Sequence, residues 1–539
     1  MIDCLIIGYN DVAFDTYVSM LRQMGTDKGA YRDLNLAFVT HDGTPYRSMD
    51  LLNLFNEPVI ASGRRFSNVD FLWPVITYLY TYLMRRGFTA SYVNLFQDER
   101  QALIDQLASG HVRSVAITTT LYVWMTPILE IVDLVRQYSP QTTIIVGGPY
   151  IQNQARALDA STLQNLLDSI GADVYVISTE GEATLARTLD HLRRGVSLAA
   201  VPNLVYRDGE QMVQTESRPE ENSLADEMVD YSLFPADRFR GFVNLRTAKS
   251  CPFACAFCAY PERAGAYTYL SVPLIEQELD GIRRLESVTT LSFIDDTFNV
   301  PMKRFKDILR MMIRNNYGFR WNSYLRADHV DAECLELMEQ SGCEGVFLGV
   351  ESGSDRILKA MNKTARRINY ETIIPRLRDA GIITHANLIV GFPGETEDTI
   401  AESISLIETA RPDFYRAQLW YCDPTTPVWR QREALGITGS AFTWSHPTLD
   451  SDAACNWVER LFREITGAIW LPQFGFETWS LYYLQRRGMS LDQVKAFVRA
   501  FNAGVNAKLL DPHREQVPAE LLATMRAAGT LAPAAVMAT

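Results

Sequence analysis

The chain has 539 residues, 47% hydrophobic and 21% charged, with a formal net charge of −13 at pH 7; this is a globular composition with room for two or three domains. The acidic balance, with no basic stripe, argues against a nucleic-acid partner. Eight cysteines without a paired framework point to a reducing, cytoplasmic setting, and the chain has neither an apolar run of transmembrane length nor a signal-peptide-like start, so no membrane partner is expected.

From the start, Cys4-Leu-Ile-Ile-Gly8 reads as a buried strand and Asp15–Met24 as a helix. Further on, Pro74–Arg86 reads as a helix, Ala90–Leu95 as a strand and Arg100–Ser109 as a helix. Val115–Thr120 is a strand ending in hydroxyls, Pro127–Tyr138 a helix, and Thr142–Val146 a strand leaving through Gly147-Gly148-Pro149. Val174–Ser178 is a strand followed by Glu180-Gly181-Glu182. This alternation predicts a Rossmann-like, doubly wound parallel sheet over residues 1–200, with ligands at the carboxyl ends of its strands. Thr118, Thr119 and Thr120 offer hydroxyls there, Gly147 and Gly148 let a backbone approach closely, and Glu180, Gly181 and Glu182 add a polar turn. The plainer alternative is a Rossmann-like domain whose threonines cap helices and whose glycines make tight turns. No G-x-G-x-x-G follows Gly8, so a nicotinamide cofactor is not expected.

Residues 201–242 read as a linker, with a hairpin over Val201–Gly209 and an acid-rich connector over Glu216–Glu227. Next comes Cys251-Pro-Phe-Ala-Cys255-Ala-Phe257-Cys258. Three thiolates in one loop can hold three irons of a 4Fe–4S cluster, whereas structural zinc wants four ligands and the next cysteine, Cys334, is far away. One iron is then left open. Strands and helices alternate again to Trp420 and predict a partial (βα)6 barrel over 243–430, its chemistry at the strand exits. Asp295 and Asp296 could hold an ammonium group, Arg326 could fork onto a carboxylate, and Glu351 could accept two ribose hydroxyls; a helix cap or surface ion pair is the alternative for Asp295, Asp296 and Arg326. Met361-Asn362-Lys363 reads as a surface turn, and His385 and His446 as satisfied structural histidines. Residues 431–539 read as a mainly helical C-terminal domain with an aromatic core, some of whose rings could line a substrate channel. The Ala-rich tail, 527–539, reads as frayed or loosely docked.

The C-x3-C-x-Phe-C loop resembles the signature of the radical S-adenosylmethionine (radical SAM) enzymes. The resemblance implies that Cys251, Cys255 and Cys258 bind the cluster, that SAM chelates the open iron, that Phe257 lies beside the adenine and that an external flavodoxin- or ferredoxin-type protein donates electrons. Leu348–Asp355 looks like the ribose-binding segment of that family, which supports Glu351, and Gly391-Phe-Pro-Gly-Glu-Thr396 is similar to another of its segments. The spacing from Thr119-Thr120-Leu121 to Gly147-Gly148 resembles two motifs of the cobalamin-binding domain, while the third, D-x-H-x-x-G, is missing, so no imidazole is expected beneath the cobalt.

Over residues 1–430 the order resembles cobalamin-dependent radical SAM methyltransferases. This implies transfer of a methyl group from SAM, through methylcobalamin, to an unactivated carbon of a small natural-product substrate. A faint likeness in Gly29–Asn35 adds a phosphinate phosphorus as a possible acceptor. The resemblance assigns no catalytic protein residue. Three alternatives stand: a cyclase or rearrangement enzyme without net methyl transfer; a tRNA methylthiotransferase, disfavoured because only Cys4 is available for a second cluster; and a non-catalytic cobalamin carrier or sensor.

Overall fold

A computed structural model of the chain describes residues 1–60, 65–220, 222–474, 476 and 479–531. Its first sheet is built from β1 (Cys4–Tyr9), β2 (Ala90–Leu95), β3 (Ser114–Thr118), β4 (Thr143–Gly147), β5 (Val174–Val176), β6 (Leu204–Asp208) and β7 (Gln211–Gln214). The order is β2-β1-β3-β4-β5-β6-β7, parallel through β5 and antiparallel beyond. Such strands are buried on both faces, which is why they read as continuous apolar runs. Their two-residue period divides them between two cores. Cys4, Ile6, Ala116, Ile145 and Val176 pack with Ile76, Leu83 and Leu185 of helices Pro74–Arg85 and Glu182–Arg194. Leu5, Ile7, Val115, Ile117 and Ile144 pack with Leu103, Ile128 and Leu167 of the helices on the opposite face. The hairpin β6–β7, assigned to the linker from sequence, completes this sheet, so the connecting segment begins after Gln214.

The second sheet is β8 (Phe242–Leu245), β9 (Thr290–Phe293), β10 (Arg320–Leu325), β11 (Cys343–Glu351), β12 (Ile383–Val390), β13 (Phe414–Leu419) and β14 (Ile469–Trp470), in that order and all parallel. Six strands form the expected partial barrel. The seventh, β14, pairs Ile469 with Phe414 and Trp470 with Tyr415; two residues are too short for a periodic signal. Among the described residues no helix is long and apolar enough to cross a membrane.

The C-terminal stretch is therefore not a separate helical domain. Besides β14 it carries a small antiparallel sheet over Thr438–Asp450. Its helices Leu491–Leu510 and Ala519–Gly529 fold back onto the first 60 residues. Lys508 Nζ donates to the Phe38 carbonyl (2.6 Å), and Asn56 donates to the Gly529 carbonyl (2.8 Å). The tail is docked as far as Leu531, whose N–H donates to Asn56 (2.8 Å); residues 532–539 lie outside the described residues. Trp444, Trp470 and Tyr482 are core, whereas Trp479 lines a cavity between the two sheets.

Candidate active site

The three cysteines follow β8. Ser250, at φ 68°, turns the chain into their loop, and its hydroxyl donates to the Gly265 carbonyl (2.7 Å). All three thiols are half-buried and free. Three remote contacts clamp the loop: Ala256 N–H donates to Met361 O, Val428 N–H donates to Ala256 O (both 2.9 Å), and Asn362 Nδ2 donates to Ala254 O (2.6 Å). Burial raises the Cys255 and Cys258 thiols, Cys258 to about 11, and the neighbouring sulfurs add to this by repulsion. Two half-buried thiols that resist ionising on their own, Cys255 and Cys258, with Cys251 in the same loop, fit a cationic iron group, which would bind the charged form. Phe257 is half-buried within the same loop.

The barrel exits divide the expected SAM ligands. Asp295 does not face a ligand: it is 3% exposed, and its carboxylate accepts from Thr247 N–H (2.6 Å), Ala248 N–H (2.8 Å) and the Thr247 hydroxyl. It ties β8 to the exit of β9. Asp296 opens onto solvent at the barrel mouth, yet its concave surroundings and then Asp295 push its carboxyl up to about 6. The Arg326 fork is already taken, by both oxygens of Asp328 (3.1 and 3.0 Å) and by Thr364 (2.7 Å), while its guanidinium lies 3.6 Å from the centre of the Phe253 ring. It braces the cysteine loop and is not open to fork onto a carboxylate. Glu351 ends β11 at φ 64° and pairs with buried Lys363 (2.9 Å), which also donates to Gly349 O (2.5 Å).

Met361-Asn362-Lys363 is a turn with Asn362 exposed and a structural role; what sequence reasoning missed is that this turn clamps the cysteine loop to Glu351. Local spacing holds no trace of a contact made across about a hundred residues. His446 is satisfied, bonded to Gly391 O (3.0 Å) and stacked on Trp444. His385 is not: it is 1% exposed, and neither ring nitrogen has a partner among the described residues.

On the first sheet, Thr118 Oγ1 donates back to Ile7 O (3.1 Å), and Thr119 Oγ1 donates to Gly147 O (3.0 Å), so both hydroxyls serve the fold first. Gly148, at φ 111°, sits where a Cβ would lie 2.9 Å from Thr119 Oγ1, so it is the Thr119 packing that demands glycine. Beside them a slot of about 250 Å³ opens between the sheet and the helices Pro74–Arg85 and Glu182–Arg194. Thr118, Thr120, Gly147, Gly148 and the turn Glu180-Gly181-Glu182 line it, with Ala116 and Val176 deeper in. A Cβ on Gly147 would come within 3.1 Å of Val176, so small residues keep the slot open.

Glu180 pairs with Lys249, two residues before the cysteine loop, and burial followed by Glu227 pushes Glu182 up to about 7. Arg246 donates to Glu227 (2.6 Å) and lies 4.7 Å from the centre of the Tyr78 ring. Arg246 and Lys249 thus couple the slot to the barrel; nothing in their spacing announces it.

Between the two sets of strand exits lies a cavity of about 1160 Å³. Tyr9, Leu121 and Val123 face it from the first sheet, and Tyr324, Asn387 and Gln418 from β10, β12 and β13.

A parallel partial barrel with a three-thiol loop at its mouth has a donor set that fits an iron–sulfur cluster. The family model of the Radical SAM superfamily matches residues 245–407, so this part of the chain carries a Radical SAM domain, which implies a 4Fe–4S cluster and SAM. An uncharacterised methyltransferase of Pyrococcus horikoshii is 23% identical over 326 residues, 59% of this chain and 69% of that protein. The anaerobic magnesium-protoporphyrin IX monomethyl ester cyclase of Rubrivivax gelatinosus is 23% identical over 388 residues, 67% of this chain and 66% of the cyclase. Among solved structures, the radical SAM methyltransferase TsrM of Kitasatospora setae, with cobalamin and a [4Fe–4S] cluster bound, superposes with a TM-score of 0.60. It covers 84% of this chain and 96% of its own at 16% identity, which is a likeness of fold.

Proposed function

We propose that the chain is a cobalamin-dependent radical SAM methyltransferase whose small-molecule substrate occupies the cavity between the two sheets. The observation that carries this reading is the shared cavity itself: the strand exits of a doubly wound sheet and of a cysteine-bearing barrel, each the ligand face of its own fold, open into one space.

Cys251, Cys255 and Cys258 would hold the cluster, Glu351 and Asp296 would orient SAM, and the slot beside Thr120 and Gly147 would take the nucleotide tail of cobalamin. When bound, the cluster with SAM supplies a hydrogen-abstracting radical and cobalamin supplies a methyl group. The chain's own residues bind, orient and keep out water; Lys363 holds the Glu351 carboxylate in place, and the cavity walls fix the substrate against both cofactors. Electrons come from an external flavodoxin- or ferredoxin-type donor. The acceptor is an unactivated carbon, with a phosphinate phosphorus as the other candidate.

Anaerobic reconstitution with iron, sulfide and cobalamin, followed by turnover with SAM and candidate substrates, tests the reading by mass spectrometry. 5′-Deoxyadenosine, S-adenosylhomocysteine and a product heavier by one methyl group are expected together. The match to the cyclase over 67% of the chain supports a second reading, ring closure, in which 5′-deoxyadenosine forms without S-adenosylhomocysteine. Reconstituted protein that never cleaves SAM would leave only a carrier.

A further inference from the structure

We infer that an acidic, one-electron donor protein docks on the outer side of the cysteine loop, over a basic patch formed by Arg356, Lys359 and Arg366. This rests on the iron–sulfur reading above.

Charge singles out this surface. The chain as a whole carries −13, yet between residues 355 and 367 five lysines and arginines stand against a single acidic residue, Asp355. The carboxylates around them are already engaged. Asp355 accepts from Arg367 N–H (2.8 Å), Glu371 pairs with Arg367 (2.7 Å), and Glu351 pairs with Lys363 (2.9 Å). Arg356, Lys359 and Arg366 are exposed, and none of the three has an ion-pair partner among the described residues. Arg356 donates to the Thr396 hydroxyl (3.0 Å), which leaves its charge uncompensated. Three such cations on an acidic protein make a local field opposite in sign to that of the molecule.

Their position says what the field is for. Lys359 O accepts from Asn362 N–H (3.0 Å), and Asn362 Nδ2 donates to Ala254 O inside the cysteine loop. Lys359 therefore stands one turn of chain from that loop. Arg356 lies a turn before it on the helix Asp355–Ala360, and Arg366 leads into the helix Arg367–Asp379. Pro252 and Ala254, next to Cys251 and Cys255, are themselves exposed. None of these residues lines the cavity or the slot. The loop thus has an outer face, apart from the space assigned to substrate.

Electron transfer through protein falls steeply with distance, so a donor must dock close to the cluster, and the outer face lets it do so without displacing substrate. Transient redox complexes are small and steered by charge, and a basic patch fits an acidic partner. Ile368, 62% exposed and two positions from Arg366, supplies an apolar contact of the kind that fills the centre of such an interface. One electron leaves the donor and enters the oxidised [4Fe–4S]2+ cluster, which becomes [4Fe–4S]+; no atom is transferred.

The test follows cluster reduction by stopped-flow absorbance in the reconstituted full-length protein. The donor is a bacterial flavodoxin held in its hydroquinone state, and dithionite serves as a reductant that needs no docking surface. With wild type, reduction by flavodoxin is expected to slow as ionic strength rises. Lys359→Glu with Arg366→Glu is expected to slow it on the order of tenfold at low salt and to flatten the salt dependence. Lys359→Gln with Arg366→Gln should fall between, while dithionite reduces all three proteins alike. Arg284 and Arg463 are exposed on other helices, and Arg284→Glu with Arg463→Glu makes the same change in net charge; this pair is expected to behave as wild type. A charge-reversed patch that flavodoxin reduces at the wild-type rate overturns the inference. So does a remote pair that slows reduction equally, or a wild type that dithionite reduces and flavodoxin does not. Protein in which dithionite reduces no cluster brings down the iron–sulfur reading itself, a result told apart by iron and sulfide content.

Discussion

The side-chain amide of Asn362 donates to the carbonyl oxygen of Ala254 across 108 positions of sequence, at 2.6 Å. Ala254 lies inside the cysteine loop, and Lys363, next to Asn362, holds Glu351. The loop that would carry the cluster and the carboxylate that would orient SAM are therefore fixed by one turn. Asn362 sits at φ 56°, so Asn362→Gly keeps the backbone and removes only the amide. The bond is worth about 1 kcal/mol, so the melting temperature should shift by a few degrees at most. The larger effect is expected on the cluster, with iron lost to a chelator several-fold faster than from wild type, followed by the fading of its visible absorbance. Equal release rates would show that the clamp does not hold the loop.

Asp295 and Asp296 are adjacent in sequence but differ in task, and exchanging each for asparagine separates them. Asp295→Asn removes a charged acceptor from two N–H groups and a hydroxyl, and weakens the attraction holding Arg304, which donates to Thr247 O (2.9 Å). A destabilisation of about 2–3 kcal/mol is expected, from the cost of hydrogen bonds to a buried charged group. Asp296→Asn, at the open mouth, should leave unfolding within about 0.5 kcal/mol of wild type. Its effect is expected in SAM binding, weakened about tenfold, the loss of one charge-assisted contact of about 1.4 kcal/mol. Calorimetry of unfolding and of SAM binding reads both; weakened SAM binding in a fully folded Asp295→Asn would reverse the assignment.

Most of the strands of both sheets were legible because a parallel strand buried on two faces must be a continuous apolar run, as in Cys4–Ile7 and Leu388–Val390. The cysteine loop was legible because its ligands are local: Cys251, Cys255 and Cys258 lie within eight positions. What stayed hidden depends on contacts between distant segments. Asp295 and Asp296 are chemically alike on paper, and only the position of Thr247 makes one structural. Arg326 looked like an open fork although Asp328, which takes it, lies only two positions away; the distant part of its setting is Thr364, brought in by the turn after Met361.

His385 faces Phe347 on the neighbouring strand, ring centres 5.8 Å apart, with both nitrogens unpartnered among the described residues. Burial and then Arg416 hold its pKa well below the usual 6.5. The unfolded chain takes up a proton near pH 6.5 that the folded one refuses, so this group makes stability fall as pH drops below about 6.5. His385→Leu removes both the unsatisfied nitrogens and that acid-side loss. The variant is expected to match or exceed wild-type stability at pH 7, by about 1 kcal/mol. Its advantage should widen as the pH is lowered to 5, followed by thermal melts at each pH; a constant difference would mean that the imidazole is partnered after all.

Glu395 gives the opposite slope. It is fully buried in the Gly391–Glu395 turn at the barrel mouth, one oxygen accepting from Gly391 N–H and the other without a partner among the described residues. Burial raises its carboxyl from the ordinary 4.5 to about 8, against the lowering effect of the backbone N–H groups of Gly391 and Phe392. Between those two values the folded chain keeps a proton that the unfolded chain has lost, so stability declines as pH rises from about 4.5 to about 8 and is level outside that window. Glu395→Gln preserves the shape and the acceptor for Gly391 but carries no titrating proton. It should match wild type near pH 4.5 and pull ahead steadily towards pH 8, by about 1.4 kcal/mol at most for each pH unit crossed. Denaturant midpoints of the two proteins across that range measure the gap. Parallel curves would mean that the carboxyl is ionised in the folded chain, its charge held by the turn.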